Sequence, residues 1–204
     1  MGDMVKAFQE RLLVNVDRDL NPLLAYLEGT DFYSAPASTK YHGAFSGGLL
    51  QHSLCVHDHL LRLNDLYHTH LPFDSMAICA LLHDVCKANC YVLEWKNRKN
   101  YDTEYLSTAD PFLIKHDSRG DYAWETYQAY TFNEQFKFGG HGSKSVFLVS
   151  RCLRLTNEEA AAINCHMGAY DKSLYSDPSA VYAENKLAFL LHLADECATF
   201  LSEI

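Results

Sequence analysis

The run Met76-Ala-Ile-Cys-Ala-Leu-Leu-His-Asp-Val-Cys-Lys87 constrains this chain more than any other segment. An apolar helical stretch closes on two adjacent side chains that can ligate metal, His83 and Asp84, and Lys87 follows three residues after the aspartate. A polar pair beside that much apolar surface costs free energy unless something binds it. The dipeptide alone would mean little. It gains weight because His52, His141, His166 and Asp195 stand in matching settings along the chain.

With 204 residues, 48% of them hydrophobic, the chain is long enough for one globular domain with a sizeable core. A single domain spanning residues 1–204 is therefore expected. No apolar run reaches the length of a membrane span, so no membrane partner is expected. The first six residues lack a signal-peptide layout and have no Ser or Thr at position 6, which argues against secretion and myristoylation. Seven cysteines form no Cys-x-x-Cys pair, and Cys55, Cys79, Cys86, Cys165 and Cys197 lie on apolar helical stretches. They read as reduced core thiols of a cytoplasmic protein. A net charge of -9 argues against an extended nucleic-acid surface. It leaves room for a small phosphorylated ligand, since a bound divalent metal supplies local positive charge.

The periodicity is mostly helical. Residues 3–17 are amphipathic through Val5, Phe8, Leu12, Leu13 and Val16. Asn21-Pro22 opens a second helix, 29–48 is a glycine-containing loop, and 49–66 is a long helix carrying His52. The next helix is capped at 72–75 and is expected to end near Lys87. Beyond Gly139-Gly140, helices are expected over 143–153, from the Thr156…Glu159 capping box through His166, and from Asp177-Pro178 continuously to about 202, carrying Asp195. Between them, Tyr122 to Phe132 alternate with period two and are rich in aromatics, which predicts a strand. Tyr91–Trp95 is its candidate partner. The expectation is an all-α bundle with a β-hairpin insertion around 91–138, its aromatic face packed inward or stacking a base. Arg119-Gly120-Asp121 reads as the turn before the strand.

His52, His83, His166 and Asp195 each fall on a predicted helix among apolar neighbours, and packed helices can bring such residues together. Imidazoles with carboxylates suit Fe, Mn or Zn better than Ca or Mg. A single buried histidine is ordinarily a hydrogen-bonded core residue, and His57, His59, His68, His70 and His116 read as that or as solvated. His192 reads as core packing, with support of a ligand as the alternative. Six satisfied buried polar groups at once are harder to arrange.

The order His52 … His83-Asp84 … His141 … His166 … Asp195 resembles the HD superfamily of metal-dependent phosphohydrolases. Gly47-Gly-Leu-Leu-Gln-His52 is similar to its first-histidine helix, Leu82-His-Asp-Val-Cys-Lys87 to its His-Asp-x-x-Lys segment, and Leu191-His-Leu-Ala-Asp195 to its final aspartate. The stretch from Phe32 to His52 is also similar to the HD domain of a bacterial 3′→5′ exoribonuclease. The resemblance implies an HD fold in which His52, His83, Asp84 and Asp195 hold one ion. Asp84 bridges to a second ion held by His141 and His166. Lys87 would contact a phosphate or leaving group.

On the substrate side, the glycine-led helix start at 139–145 favours an anion, with Lys144 and Ser145 as candidate phosphate contacts. His42 is a candidate proton donor, and Tyr170 and Asp171 could touch substrate or orient a ligand. The reading is a phosphohydrolase with two divalent transition-metal ions, cleaving a phosphomonoester or phosphodiester of a nucleotide by metal-activated hydroxide. The alternatives are a nuclease on short single strands and a non-catalytic nucleotide sensor. Oligomeric state is not legible.

Overall fold

The computed structural model describes residues 1–171 and 177–202. Helix α1 (Gly2–Asn15) buries Phe8 and Leu12, and α2 (Asn21–Glu28), with Pro22 in its first turn, buries Leu23 and Leu27. A loop then leads into α3 (Gly48–Leu66), which carries His52. A Cβ on Gly48 would meet the Gly43 carbonyl oxygen at 2.0 Å, so only glycine lets the loop cross so close to the start of α3.

Helix α4 (Phe73–Leu82) is buried along its length from Ser75 to Leu82. The reason is that it divides the core. Ile78, Leu81 and Leu82 pack into one apolar cluster with α1, α2 and Leu49 and Leu50 of α3. Met76, Cys79 and Ala80 pack into a second with Val56 and Leu60 of α3 and with residues of the later helices. Each fully buried large apolar side chain contributes about 1.5–3 kcal/mol. The helix ends earlier than expected. His83 and Asp84 form a turn, and Val85–Lys87 is a 3₁₀ turn rather than more α-helix.

The chain divides into two compact units, residues 1–91 with 132–204, and residues 92–131. The insertion is thus shorter than expected, since 132–138 group with the helices. It contains β1 (Tyr91–Asn100), a short helix α5 (Thr103–Thr108), a 3₁₀ turn (Pro111–Leu113), β2 (Lys115–Asp117) and β3 (Gly120–Phe132). The strand order is β1-β3-β2. β2 and β3 pair antiparallel with Asp117 opposite Gly120, and Gly120 has φ +120°. Ser118 and Arg119 form that tight turn; of the expected turn Arg119-Gly120-Asp121, the last two residues already belong to β3. The aromatic face is not packed inward as a whole: Tyr122 is buried, but Trp95 and Trp124 are exposed.

Helices resume with α6 (His141–Ser150) and α7 (Asn157–Cys165). At the start of α7, Thr156 and Glu159 form the expected capping box. The final helix is not continuous. α8 (Pro178–Glu184) and α9 (Lys186–Cys197) are separated at Asn185, and a π turn, Ala198–Ser202, follows α9. Asn185 leaves helical geometry because its side chain accepts the Ala188 N–H and caps α9. Among the described residues no helix is long and apolar enough to cross a membrane.

Candidate metal centre

Five elements deliver the candidate ligands to one place. α3 supplies His52, the turn after α4 supplies His83 and Asp84, and α6 begins with His141. His166 caps the C-terminus of α7, and α9 supplies Asp195. His83 and His166 are fully buried, and His52, Asp84 and Asp195 are buried to within 8% exposure. The His141 side chain is the most open, at 33%.

Asp84 is the hub. Its Oδ2 lies 3.4 Å from His83 Nε2, 3.7 Å from His52 Nε2 and 2.6 Å from Lys87 Nζ. Its Oδ1 lies 3.1 Å from His141 Nε2 and 3.5 Å from His166 Nε2. Asp195 Oδ1 sits 3.1 Å from His52 Nε2. One carboxylate therefore faces two sets of imidazoles, one with each oxygen.

The local chain sets the tautomers. His83 Nδ1–H donates to Ala80 O at 2.9 Å, and His166 Nδ1–H donates to Ile163 O at 2.7 Å. Each ring thus uses a carbonyl that its own helix leaves free at its C-terminus. The proton held at Nδ1 turns the Nε2 lone pair towards Asp84, the arrangement that metal-ligating histidines require. His52 Nε2 and His83 Nε2 stand only 3.3 Å apart. Among the described residues, buried Asp84 Oδ1, His141 Nε2 and His166 Nε2 find no hydrogen-bond partner despite their proximity. Lone pairs and a carboxylate gathered without hydrogen bonds repel one another unless a cation lies among them. The donor set, imidazole and carboxylate, fits divalent Zn, Mn or Fe.

Electrostatics agree. Burial alone would raise the Asp84 carboxyl, but Lys87 and the imidazoles outweigh it and hold the group well below the usual carboxylate range. Burial likewise opposes the Asp195 charge and is outweighed by His52. Lys87 is raised by Asp84 against its burial, so it stays an ammonium. Burial lowers His83, whereas Asp84 overcomes burial and raises His166.

Backbone approach and a supporting histidine hold the second side together. A Cβ on Gly142 would meet Asn164 O at 2.2 Å, so glycine lets the start of α6 lie against the end of α7. That places His141 beside His166, with ring centroids 6.1 Å apart. His192 Nδ1–H donates to His166 O at 2.7 Å, and Tyr182 OH donates to Cys165 O at 2.8 Å. His192 therefore steadies the turn that carries a ligand.

A cleft of about 840 Å³ opens onto the centre, lined by Asp84, Lys87 and Asp195 together with His42 and Tyr170. The His42 ring lies 5.0 Å from that of His52. Lys144 and Ser145 have other partners. Lys144 is buried in an ion pair with Glu134, beside Cys90. Ser145 Oγ is fully buried and accepts the Cys86 N–H at 3.1 Å. Asp171 ends the turn Gly168–Tyr170 and is half-buried. Sequence reasoning missed Tyr41, Met167, Glu196, Thr199 and Phe200, which also line the cleft. Thr199 follows Asp195 by four residues, a spacing that places it on the same helix face. It also missed Cys86, which joins Asp84 and His141 as a possible ligand group.

Comparison of the chain with protein-family models, with curated proteins and with solved structures returns no match.

Proposed function

We propose that the protein is a two-metal phosphohydrolase of the HD type, a single domain with the strand unit inserted in it. It would cleave a phosphomonoester or phosphodiester of a nucleotide. The observation that carries this reading is the bridging posture of Asp84, whose two oxygens face separate sets of imidazoles. His52, His83, Asp84 and Asp195 would hold one ion, and Asp84, His141 and His166 the other. Two such ions supply an activated water and a clamp on the phosphoryl oxygens.

The chain's own residues have definable parts in this chemistry. Lys87, held as an ammonium by Asp84 at the base of the cleft, neutralises charge building on the phosphoryl oxygens. His42 lines the same cleft and would give a proton to the leaving oxygen. Tyr170, exposed on the cleft wall, offers a face to the rest of the substrate.

The test is phosphate or nucleotide release from nucleoside mono-, di- and triphosphates, cyclic dinucleotides and short oligonucleotides. Wild type and Asp84→Ala are compared with added Mn or Fe(II). Turnover by wild type that the variant loses supports the reading and names the substrate class. Turnover that survives Asp84→Ala would overturn it. Stable binding without turnover would favour a sensor.

A further inference from the structure

We propose that Cys86 is a ligand of the second ion, on the Asp84–His141 side, so that this position selects a thiophilic metal. The proposal rests on the two-ion reading above. It adds a residue that neither the family resemblance nor the apolar pattern assigns.

Cys86 Sγ, an Asp84 oxygen and a His141 ring nitrogen lie within 4.8 Å of one another. Zinc bound at about 2.3 Å from sulfur and about 2.0–2.1 Å from nitrogen or oxygen keeps neighbouring ligand atoms roughly 3.5 Å apart in a tetrahedron. Closing these three groups around an ion therefore asks for adjustments on the order of 1 Å. A second observation points to a ligand here independently of the sulfur. Asp84 Oδ1, on a residue only 2% exposed, has no hydrogen-bond partner among the described residues. A third is space: a cavity of about 110 Å³ is lined by Cys86, His141, Lys87, Glu134 and Lys144.

The bland alternative is that Cys86 fills the core. Cys79 belongs to the second apolar cluster, though its S–H also reaches the Glu159 carbonyl, whereas Cys86 belongs to neither cluster. Cys86 instead sits on the 3₁₀ turn beside charged and metal-ligating groups. Its main chain is pinned there by the N–H bond to Ser145 Oγ. When an ion binds, the S–H bond breaks, the proton leaves to solvent and a sulfur–metal bond forms. Soft thiolate favours Zn, Co or Fe(II) over Mn and Mg.

The experiment titrates the full chain with Co(II). It follows the bound-metal count and the near-ultraviolet sulfur-to-cobalt charge-transfer band in wild type, Cys86→Ser and Cys86→Ala. The expected result is two bound ions in wild type, with the band present, and no band in either variant. The variants should also lose at least about tenfold in Co and Zn affinity at the second position, with a smaller change for Mn. That is no less than removal of an outer-shell group costs. Two bound cobalt ions without a band in wild type would overturn the proposal, as would a band retained in Cys86→Ser. Either result leaves the two-ion reading standing. Failure of wild type to bind cobalt at all would overturn that reading, and the cysteine ligand with it.

Discussion

Glu159 and Asp84 are both carboxylates inside the helical body, at 0% and 2% exposure, yet their surroundings are opposite in kind. Every oxygen of Glu159 is occupied. Oε1 accepts from Arg18 at 2.7 Å and from Ser75 Oγ at 2.7 Å, and Oε2 accepts from Arg18 at 2.8 Å and from the Thr156 N–H at 2.9 Å. Arg18 also reaches Asp74 at 2.9 Å, so the cluster ties the start of α4 to the start of α7. At the other ends of these two helices stand His83 and His166, and between them Asp84 meets imidazole nitrogens with no hydrogen bond to Oδ1. One end of the helix pair is closed by protein donors. The other end gathers acceptors and leaves them for a cation. A buried charge with full hydrogen bonding is a structural device, whereas one that keeps Lys87 at one oxygen and turns the other to unpartnered imidazole nitrogens is a candidate binding site.

Removing each carboxylate should therefore separate activity from stability. Asp84→Asn should lose both ions and cut turnover by at least ~10³-fold, because the ions supply several kcal/mol of transition-state stabilisation. His141→Ala should lose only the second ion. Metal analysis of the purified proteins checks both, and two ions bound to Asp84→Asn would break the contrast. Glu159→Gln should do the reverse. Weakening the Arg18–Glu159 pair, with Asp74 still bound to Arg18, costs about 2 kcal/mol, seen as a melting temperature lower by about 4–8 °C. The folded fraction should still bind metal in the wild-type ratio. A Glu159→Gln protein that is as stable as wild type but metal-free would reverse the assignment.

Metal itself offers a gentler probe. An ion at a hundred times its dissociation constant should stabilise the folded state by about 2.7 kcal/mol. Thermal melts with Mn or Zn, and then with chelator, should show this gain in wild type and in Glu159→Gln but not in Asp84→Asn. Equal stabilisation of all three would mean that the ion binds elsewhere.

These contrasts also explain what could be read from the chain alone. His52, His83-Asp84, His166 and Asp195 were legible because each interrupts an apolar pattern, and the structure brings them together as expected. The helical assembly and the strand insertion were legible from their periods. Other features depend on tertiary contacts. Nothing local marks Gly142 as the point where α6 meets Asn164. Asn185 could continue a helix or cap one, and only the packing of α9 decides. Adjacency to His141 in sequence suggests a phosphate contact for Lys144 and Ser145. A helix turns about 100° per residue, so their side chains meet Glu134 and the Cys86 amide instead. Apolar neighbours in sequence suggest a core thiol at Cys86. The change from α to 3₁₀ geometry after His83 puts it in different company.

A histidine on the same helix as a candidate ligand tests the satisfied class. His57, like His52, is buried on α3. Its Nδ1 faces Arg11 Nη1 at 3.2 Å and accepts from that guanidinium. Burial first, and then Arg11, lower its pKa from 6.5 to about 4. A depressed folded-state value means that the unfolded chain binds the proton more readily. The stability due to neutral His57 is then fully present above about pH 6.5 and is lost as pH falls through about 4, an effect on the order of 3 kcal/mol. Urea midpoints measured between pH 7 and pH 4, with chelator present, should fall more steeply for wild type than for His57→Gln. Chelator takes metal ligation out of the comparison, and subtracting the variant cancels the titration of His83 and His166. Parallel slopes would show that the Arg11 contact does not hold His57 neutral, and the division between satisfied and ligand-seeking histidines on α3 would fail with it.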